Sequence, residues 1–277
     1  MQEVRIGEIR IGKGNPLVLI AGPCVLEDEA LTLEIARELK KLCGELKIPL
    51  IFKASYEKDN RGSEKSYIGP GLQEGMRWLS KVKEKVGLPV LSDIHRMEDV
   101  NLAKQVLDVL QVPAFLCQQT SLLLKVGAAG RVVNIKKGQF VSPWDMRHAV
   151  EKVRSAGNDK VFVTERGSSF GYQNLVVDMR SLPVMREFAP VVFDATHSVQ
   201  LPSAGKSDGQ AVSSGQPQFI PVLARAAVAA GVDGVFIEVH DEPRQAKSDG
   251  PNALDLKKLR DVLRELLAVH RTVAGAT

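Results

Sequence analysis

Polar residues recur two apart at the ends of apolar runs: Lys53 and Ser55, Asp93 and His95, Asn134 and Lys136, Thr164 and Arg166, Glu238 and His240. A further run, VVFDATHS, ends in Asp194 and His197. Side chains two apart in a strand point to the same side of the sheet, so each pair projects onto one face. Lysine point charges and arginine forks suit phosphate and carboxylate groups. With Lys58 and Arg61 on the loop after Lys53, they predict a small, multiply anionic ligand. Taken alone, Lys58 and Arg61 read equally well as a solvated loop. Lys137, out of phase with Lys136, is expected to point away. Burying so many charges without partners would cost on the order of several kcal/mol each, so a ligand of complementary charge is expected among them.

A second set has different chemistry. Cys24 closes the run IAGPC, and His197, Glu238 and Asp249 close or follow later ones. Thiolate, imidazole and two carboxylates suit a divalent transition metal such as Zn or Fe(II). The spacing is scattered and contains no local metal motif. On pattern alone, Cys24 as a small buried hydrophobe, like Cys43 and Cys117, stands as the other reading. Three cysteines with no C-x-x-C pair argue against a disulfide framework.

The elements that must carry these residues alternate. Short β-branched runs (PLVLIAGPC, PLIFKASY, LPVLSDIH, VLQVPAF, RVVNIKKG, KVFVTERG, VVFDATHS, GVFIEVH) are separated by segments of helical period. Those segments are Ala30 to Leu46, Leu72 to Val86, Met97 to Val106, Thr120 to Ala128, Trp144 to Ala156, Leu182 to Phe188 and Ile220 to Ala230. Such alternation predicts a parallel sheet, and the number of units over this length predicts a (β/α)8 TIM barrel spanning 1–277 as a single domain. An open doubly wound sheet usually has a G-x-G-x-x-G turn after its first strand, and none occurs here. Residues 1–13 alternate apolar with polar around Gly7 and predict a short β-hairpin capping the barrel bottom. A final helix from Leu254 to His270 closes the ring. The Gly/Ser-rich stretch from Leu201 to Gln218 is long for a βα connection and is expected to be a mobile loop that closes over ligand. In a barrel of this class the C-terminal strand ends form the active-site face.

Composition narrows the class of function. With 44% hydrophobic and 25% charged residues in 277, the chain is an ordinary globular protein with material for a large core. A net charge of +4, 5% aromatics and no long basic run argue against nucleic acid. No apolar run approaches the roughly 20 residues of a membrane helix, and MQEVRIGEIR has no signal-peptide core, so a cytoplasmic location is expected.

The stretches IAGPCVLE, FKASYEKDNRGS, GPGLQEG, QVPAFLCQQT, NIKKGQF, TERGSSFGYQNLVVDMRSLP, DATHSVQLP and GVFIEVHDEP resemble the 3-deoxy-D-manno-octulosonate 8-phosphate synthase family along nearly the whole chain. The resemblance implies a homotetramer of barrels that condenses phosphoenolpyruvate with arabinose 5-phosphate for the lipopolysaccharide inner core. It places Lys53, Lys58, Lys136 and Arg166 at phosphoenolpyruvate, and Asn60 and Arg61 at the sugar phosphate. Cys24 marks the metal-dependent group of the family, with His197, Glu238 and Asp249 as the other ligands of a divalent ion such as Zn, Fe(II) or Mn. The expected catalytic residues are Lys58, His197, Asp93 and Asp249. The expected substrate contacts are Lys53, Ser55, Asn60, Arg61, Lys136, Arg166 and Gln118.

The chain also departs from the family pattern. Gly62 and Ile68 stand where the family usually has Ser and Arg, Gln118 and Ser121 replace the Arg and Asp of FLCRQTD, and Pro217 replaces a common arginine. The arginine replaced by Gln118 reaches across a subunit interface to the sugar phosphate in family members. A weakened or retuned sugar-phosphate half is therefore expected. A related synthase acting on another aldose phosphate such as erythrose 4-phosphate, a Schiff-base aldolase using Lys136, and a non-catalytic barrel are the competing readings.

Overall fold

The computed structural model describes residues 2–12, 14–60, 65–207 and 210–274. Strands β1 (Glu3–Ile6) and β2 (Ile9–Gly12) form an antiparallel hairpin. There follow β3 (Val18–Gly22), α1 (Glu29–Leu46), β4 (Leu50–Lys53), α2 (Leu72–Lys81), β5 (Val90–Asp93), α3 (Val100–Val106) and β6 (Val109–Val112). Next come α4 (Thr120–Gly127), β7 (Val132–Lys136), α5 (Met146–Ser155) and β8 (Val161–Glu165), then the short pair β9 (Ser168–Ser169) and β10 (Leu175–Val176). The chain finishes with α6 (Ser181–Arg186), β11 (Val191–Asp194), β12 (Gln200–Ser207), β13 (Gln210–Gly215), α7 (Ile220–Ala229), β14 (Gly234–His240), β15 (Leu254–Asp255) and α8 (Leu256–Ala274).

Each barrel strand pairs in parallel with the next, from β3 through β8 to β11, and β14 pairs with both β11 and β3. That double pairing closes the eight-stranded barrel expected from the sequence. Two cores result from the period-2 alternation of the strands. The outer one joins strand residues such as Leu19, Phe52 and Val163 to the inner faces of the helices, for example Ile35 and Leu39 of α1. The inner one contains Val18, Ile20, Ile51, Leu91, Val109, Val132, Phe162, Val192 and Phe236, with Val4, Ile6 and Ile11 of the hairpin packed among them. The hairpin therefore plugs the barrel floor with side chains that could not be left in water.

Local signals explain the helix limits. Asp28 caps α1, its carboxylate accepting from the backbone N–H of Ala30 at 2.8 Å and Leu31 at 3.0 Å. The helix expected over Leu72 to Val86 is α2 followed by a π-helical turn, Val82–Val86, which ends where Gly87 turns left-handed at φ 73°. At the rim, Gly22 lets β3 approach β4 closely, because a Cβ there would lie 2.0 Å from the Lys53 carbonyl oxygen. That approach sets the start of the turn bearing Cys24.

The stretch Leu201 to Gln218 is not an irregular loop. It contains most of the antiparallel ribbon of β12 and β13, with a register irregularity between Leu201 and Gly205.

Candidate active site

Along the barrel strands the inward positions start apolar and end polar. Ile51 is followed by Lys53, Leu91 by Asp93, Val109 by Gln111, Val132 by Asn134 and Lys136, Phe162 by Thr164, Val192 by Asp194, and Phe236 by Glu238. The apolar members rest on the hairpin, and the polar members surround the other end. A cleft of about 210 Å³ opens there, and Lys53, Lys58, Asp93, Lys136, Arg166 and His197 line it. Asn60, Gln111, Gln139, Gln200 and Asp249 complete its polar wall.

Cations and carboxylates alternate around this cleft. Lys53 Nζ donates to Glu238 Oε1 at 2.5 Å, and Lys58 Nζ lies 4.0 Å from the same oxygen. Lys136 Nζ lies 2.5 Å from Asp194 Oδ2 and 4.2 Å from the Phe236 ring centroid. Arg166 gives Nη2 to Gln200 Oε1 at 2.9 Å, while its buried Nη1 has no hydrogen-bond partner among the described residues. A buried guanidinium nitrogen left unpaired is costly, and an anionic oxygen is the partner it suits.

These contacts set the charge states. Burial opposes ionisation of Asp93, but Lys58 and then His95 outweigh it and hold its carboxyl well below the usual range. Burial likewise opposes the charge on Asp194, and His197 with Lys136 holds that carboxyl low. Lys58 is desolvated too, yet Cys24, Glu238, Asp93 and Asp249 raise it well above an ordinary lysine. For Lys136 and Arg166 burial dominates and lowers both, against the pull of Asp194.

On one wall, ligand atoms of Cys24, Glu238 and Asp249 all lie within 4.8 Å of one another. Donors bound at roughly 2.0–2.3 Å to one ion lie no more than about twice that distance apart, so the spacing is close to that of a shared cation. His197 Nε2 faces the same group, 3.6 Å from Glu238 Oε2 and 4.0 Å from Asp249 Oδ2. Its Nδ1 lies 2.8 Å from Asp194 Oδ2, the arrangement by which a carboxylate orients a metal-binding imidazole. The Cys24 thiol is pushed up by burial and by the Glu238 and Asp249 charges, against the pull of Lys58 and Lys53. The donor set thus fits a divalent ion, which Cys24, Glu238 and Asp249 would hold, with His197 beside them.

Of the residues singled out from sequence, Lys53, Lys58, Asn60, Asp93, Lys136, Arg166, His197 and Asp249 meet in the cleft, and Cys24 and Glu238 adjoin it. Arg61 and Gly62 lie outside the described residues. Ser55 is fully buried, its hydroxyl without a hydrogen-bond partner among the described residues. Gln118 is exposed on the outer side, beside α5, where its carbonyl accepts from Lys152 Nζ at 3.2 Å. Neither Ile68, whose carbonyl accepts from the Lys58 N–H at 2.7 Å, nor Pro217 is among the residues lining the cleft. His240 turns from the mouth toward Glu27, 3.6 Å away, because β14 runs past the barrel rim to pair with β15. Lys137 points outward as its phase predicts, and all three cysteines are free and buried.

Sequence reasoning missed Gln111, Gln139 and Gln200. Gln111 was detectable, since it follows the inward Val109 by two and accepts from Asn134 Nδ2 at 2.9 Å. Gln139 lies beyond the end of β7 and Gln200 opens β12 outside the barrel, where the barrel period no longer predicts direction.

The fold and site define a (β/α)8 enzyme with a cation-lined cleft beside a group of metal-type donors. The chain belongs to the DAHP synthetase I family, whose model matches residues 2–273. It is 61% identical over 273 residues to a 2-dehydro-3-deoxyphosphooctonate aldolase of Koribacter versatilis, covering 99% of this chain and 98% of that one. Identity to the proteins of the same name from Geobacter metallireducens and Citrifermentans bemidjiense is 57% and 55% over 274 residues, covering 98% of this chain and 99% and 98% of theirs. No helix among the described residues is long and apolar enough to cross a membrane.

Proposed function

We propose that this chain, as a single barrel domain over residues 1–277, condenses phosphoenolpyruvate with arabinose 5-phosphate and water. The products are 3-deoxy-D-manno-octulosonate 8-phosphate, for the lipopolysaccharide inner core, and inorganic phosphate. The observation that carries this reading is a juxtaposition. Lys53, Lys58, Lys136 and Arg166 meet in one cleft beside Cys24, Glu238 and Asp249. They do so in a chain 61% identical to a protein named for that chemistry.

In the reaction C3 of phosphoenolpyruvate bonds to the sugar aldehyde carbon, water adds at C2, and the resulting hemiketal expels phosphate. Lys136 and Arg166 bind the phosphate and carboxylate of phosphoenolpyruvate, with Lys53 alongside. Lys58, held charged by its carboxylate neighbours, joins these cations at phosphoenolpyruvate, and Asp93, held as a carboxylate by Lys58 and His95, orients the second substrate. Asn60, Arg61 and Gln118 are the sugar-phosphate contacts, Gln118 from a neighbouring subunit of a homotetramer. A divalent ion such as Zn, Fe(II) or Mn would be held by Cys24, His197, Glu238 and Asp249 and would supply Lewis acidity for the aldehyde or for the attacking water. Holding both carbons in line in a site screened from bulk water supplies much of the remaining rate.

The test is phosphate release from phosphoenolpyruvate with arabinose 5-phosphate, before and after chelation and with metal restored. Release that stops with chelator and returns with metal supports the reading. Turnover with erythrose 4-phosphate alone would replace it by the related synthase.

A further inference from the structure

Lys137 and Glu165 form a buried pair that the proposed chemistry does not use. They are 0% and 1% exposed, on the outward side of the strands whose inward neighbours are Lys136 and Arg166. Lys136 stands opposite Thr164 in the β7–β8 register, and Lys137 N–H donates to the Thr164 carbonyl at 2.8 Å. The outer pair is thus directly behind the two anion-binding residues.

Its contacts reach both loops that follow those strands. Lys137 Nζ donates to the carbonyl oxygens of Gly138 at 3.2 Å, Val141 at 3.3 Å and Gly167 at 3.4 Å, and lies 3.1 Å from Ser168 Oγ. Glu165 Oε1, 3.5 Å from Lys137 Nζ, accepts from the backbone N–H of Arg166 at 3.0 Å and of Gly167 at 2.6 Å. The Ser169 N–H donates to the Gln139 carbonyl at 3.0 Å, tying one loop to the other. The space is tight, since a Cβ on Gly138 would lie 3.0 Å from the Ala114 carbonyl oxygen and from Cys117 Sγ.

An ion pair removed from water is poor evidence of stabilisation, because desolvation offsets most of the attraction. Packed apolar side chains would hold two strands as well. They could not gather three carbonyl oxygens and two backbone N–H groups from two loops.

We propose that Lys137 and Glu165 are positioning residues for the anion site: they fix the backbone at Arg166 and Gln139 so that the Arg166 guanidinium and the Lys136 ammonium converge on one anion. This rests on the phosphoenolpyruvate reading above, and inorganic phosphate serves as an independent probe.

The experiment compares wild type with the charge-neutral double variant Lys137→Met/Glu165→Gln, which strands no buried charge. Calorimetry gives the affinity for phosphoenolpyruvate and for inorganic phosphate, and kinetics give KM for each substrate. The expected result is about a tenfold loss of affinity for both anions and a matching rise in the phosphoenolpyruvate KM. The KM for the aldose phosphate and the far-UV spectrum stay as in wild type. Unchanged anion affinity in the folded variant overturns the proposal and leaves the pair a structural one. If this variant does not fold, Lys137→Gln/Glu165→Gln keeps polar groups in the space and takes its place, with unchanged phosphate affinity again the overturning result. Wild type that binds phosphate but not phosphoenolpyruvate overturns the substrate reading instead, while the phosphate comparison still decides the role of the pair.

Discussion

Asp194 holds His197 by both ends: its Oδ2 lies 2.8 Å from His197 Nδ1 and its Oδ1 accepts from the His197 backbone N–H at 2.8 Å. The ring is fixed with Nε2 toward Glu238 and Asp249. Asp194→Asn keeps the shape but removes the charge that sets the tautomer. Removing such an outer partner typically costs roughly 10–100-fold in metal affinity. Titration against a chromophoric chelator measures it, and affinity equal to wild type would show that Asp194 does not orient the ligand.

Metal binding to the native state alone should raise thermal stability. At about a hundred times the dissociation constant, linkage gives about 2.7 kcal/mol. Zinc added to chelated protein is therefore expected to raise the unfolding midpoint of wild type. The same addition to Cys24→Ala should give a much smaller rise, and an equal rise would remove Cys24 from the ligand set.

Arg166 has one guanidinium nitrogen buried without a partner among the described residues. Arg166→Lys keeps the charge and loses the fork. A lost charged hydrogen bond is worth about 1.5–3 kcal/mol, so the phosphoenolpyruvate KM should rise roughly ten- to hundredfold. The aldose phosphate KM should change little. Equal rises in both would mean that Arg166 serves the whole mouth rather than one substrate.

Ile11 is fully buried in the barrel floor. Ile11→Ala leaves a cavity there and should cost about 2–5 kcal/mol of stability. The thermal midpoint should fall by several degrees while kcat and both KM values stay near wild type below the transition. A loss of activity in the folded variant would show that the plug also shapes the mouth.

His95 gives a pH dependence of known sign. Burial lowers its pKa, but Asp93, 3.2 Å from Nε2, overcomes this and raises it above the ordinary 6.5. A raised histidine contributes stability that is fully present below the unfolded value and is lost as pH rises through the folded one. Denaturant unfolding of wild type and His95→Gln should therefore differ most in mild acid. The difference should shrink as pH rises past the folded-state value, and a gap that widens instead would reverse the assignment.

Much of the barrel and its mouth was legible because both follow from one period. Where a strand alternates, the residue two beyond Ile51 or Phe236 must face the same interior, so spacing alone places Lys53 and Glu238. The period stops informing where the strand leaves the barrel. His240 is in phase with Glu238 yet turns to Glu27. The ribbon of β12 and β13 reads as a loop because Gly and Ser dominate its sequence, and its pairing is made with itself rather than with the barrel. The outward Lys137 was placed correctly in direction, but its contacts with two loops depend on tertiary geometry that spacing does not encode.

Glu238 is shared. Lys53 holds one of its oxygens, and the carboxylate also belongs to the group formed with Cys24 and Asp249. An anion that drew Lys53 toward itself would weaken that hold and leave Glu238 freer for a cation, and a cation that took Glu238 would free Lys53 for the anion. Two such ligands would be thermodynamically linked through a single carboxylate, and whatever factor one added to the other's affinity would be returned in equal measure.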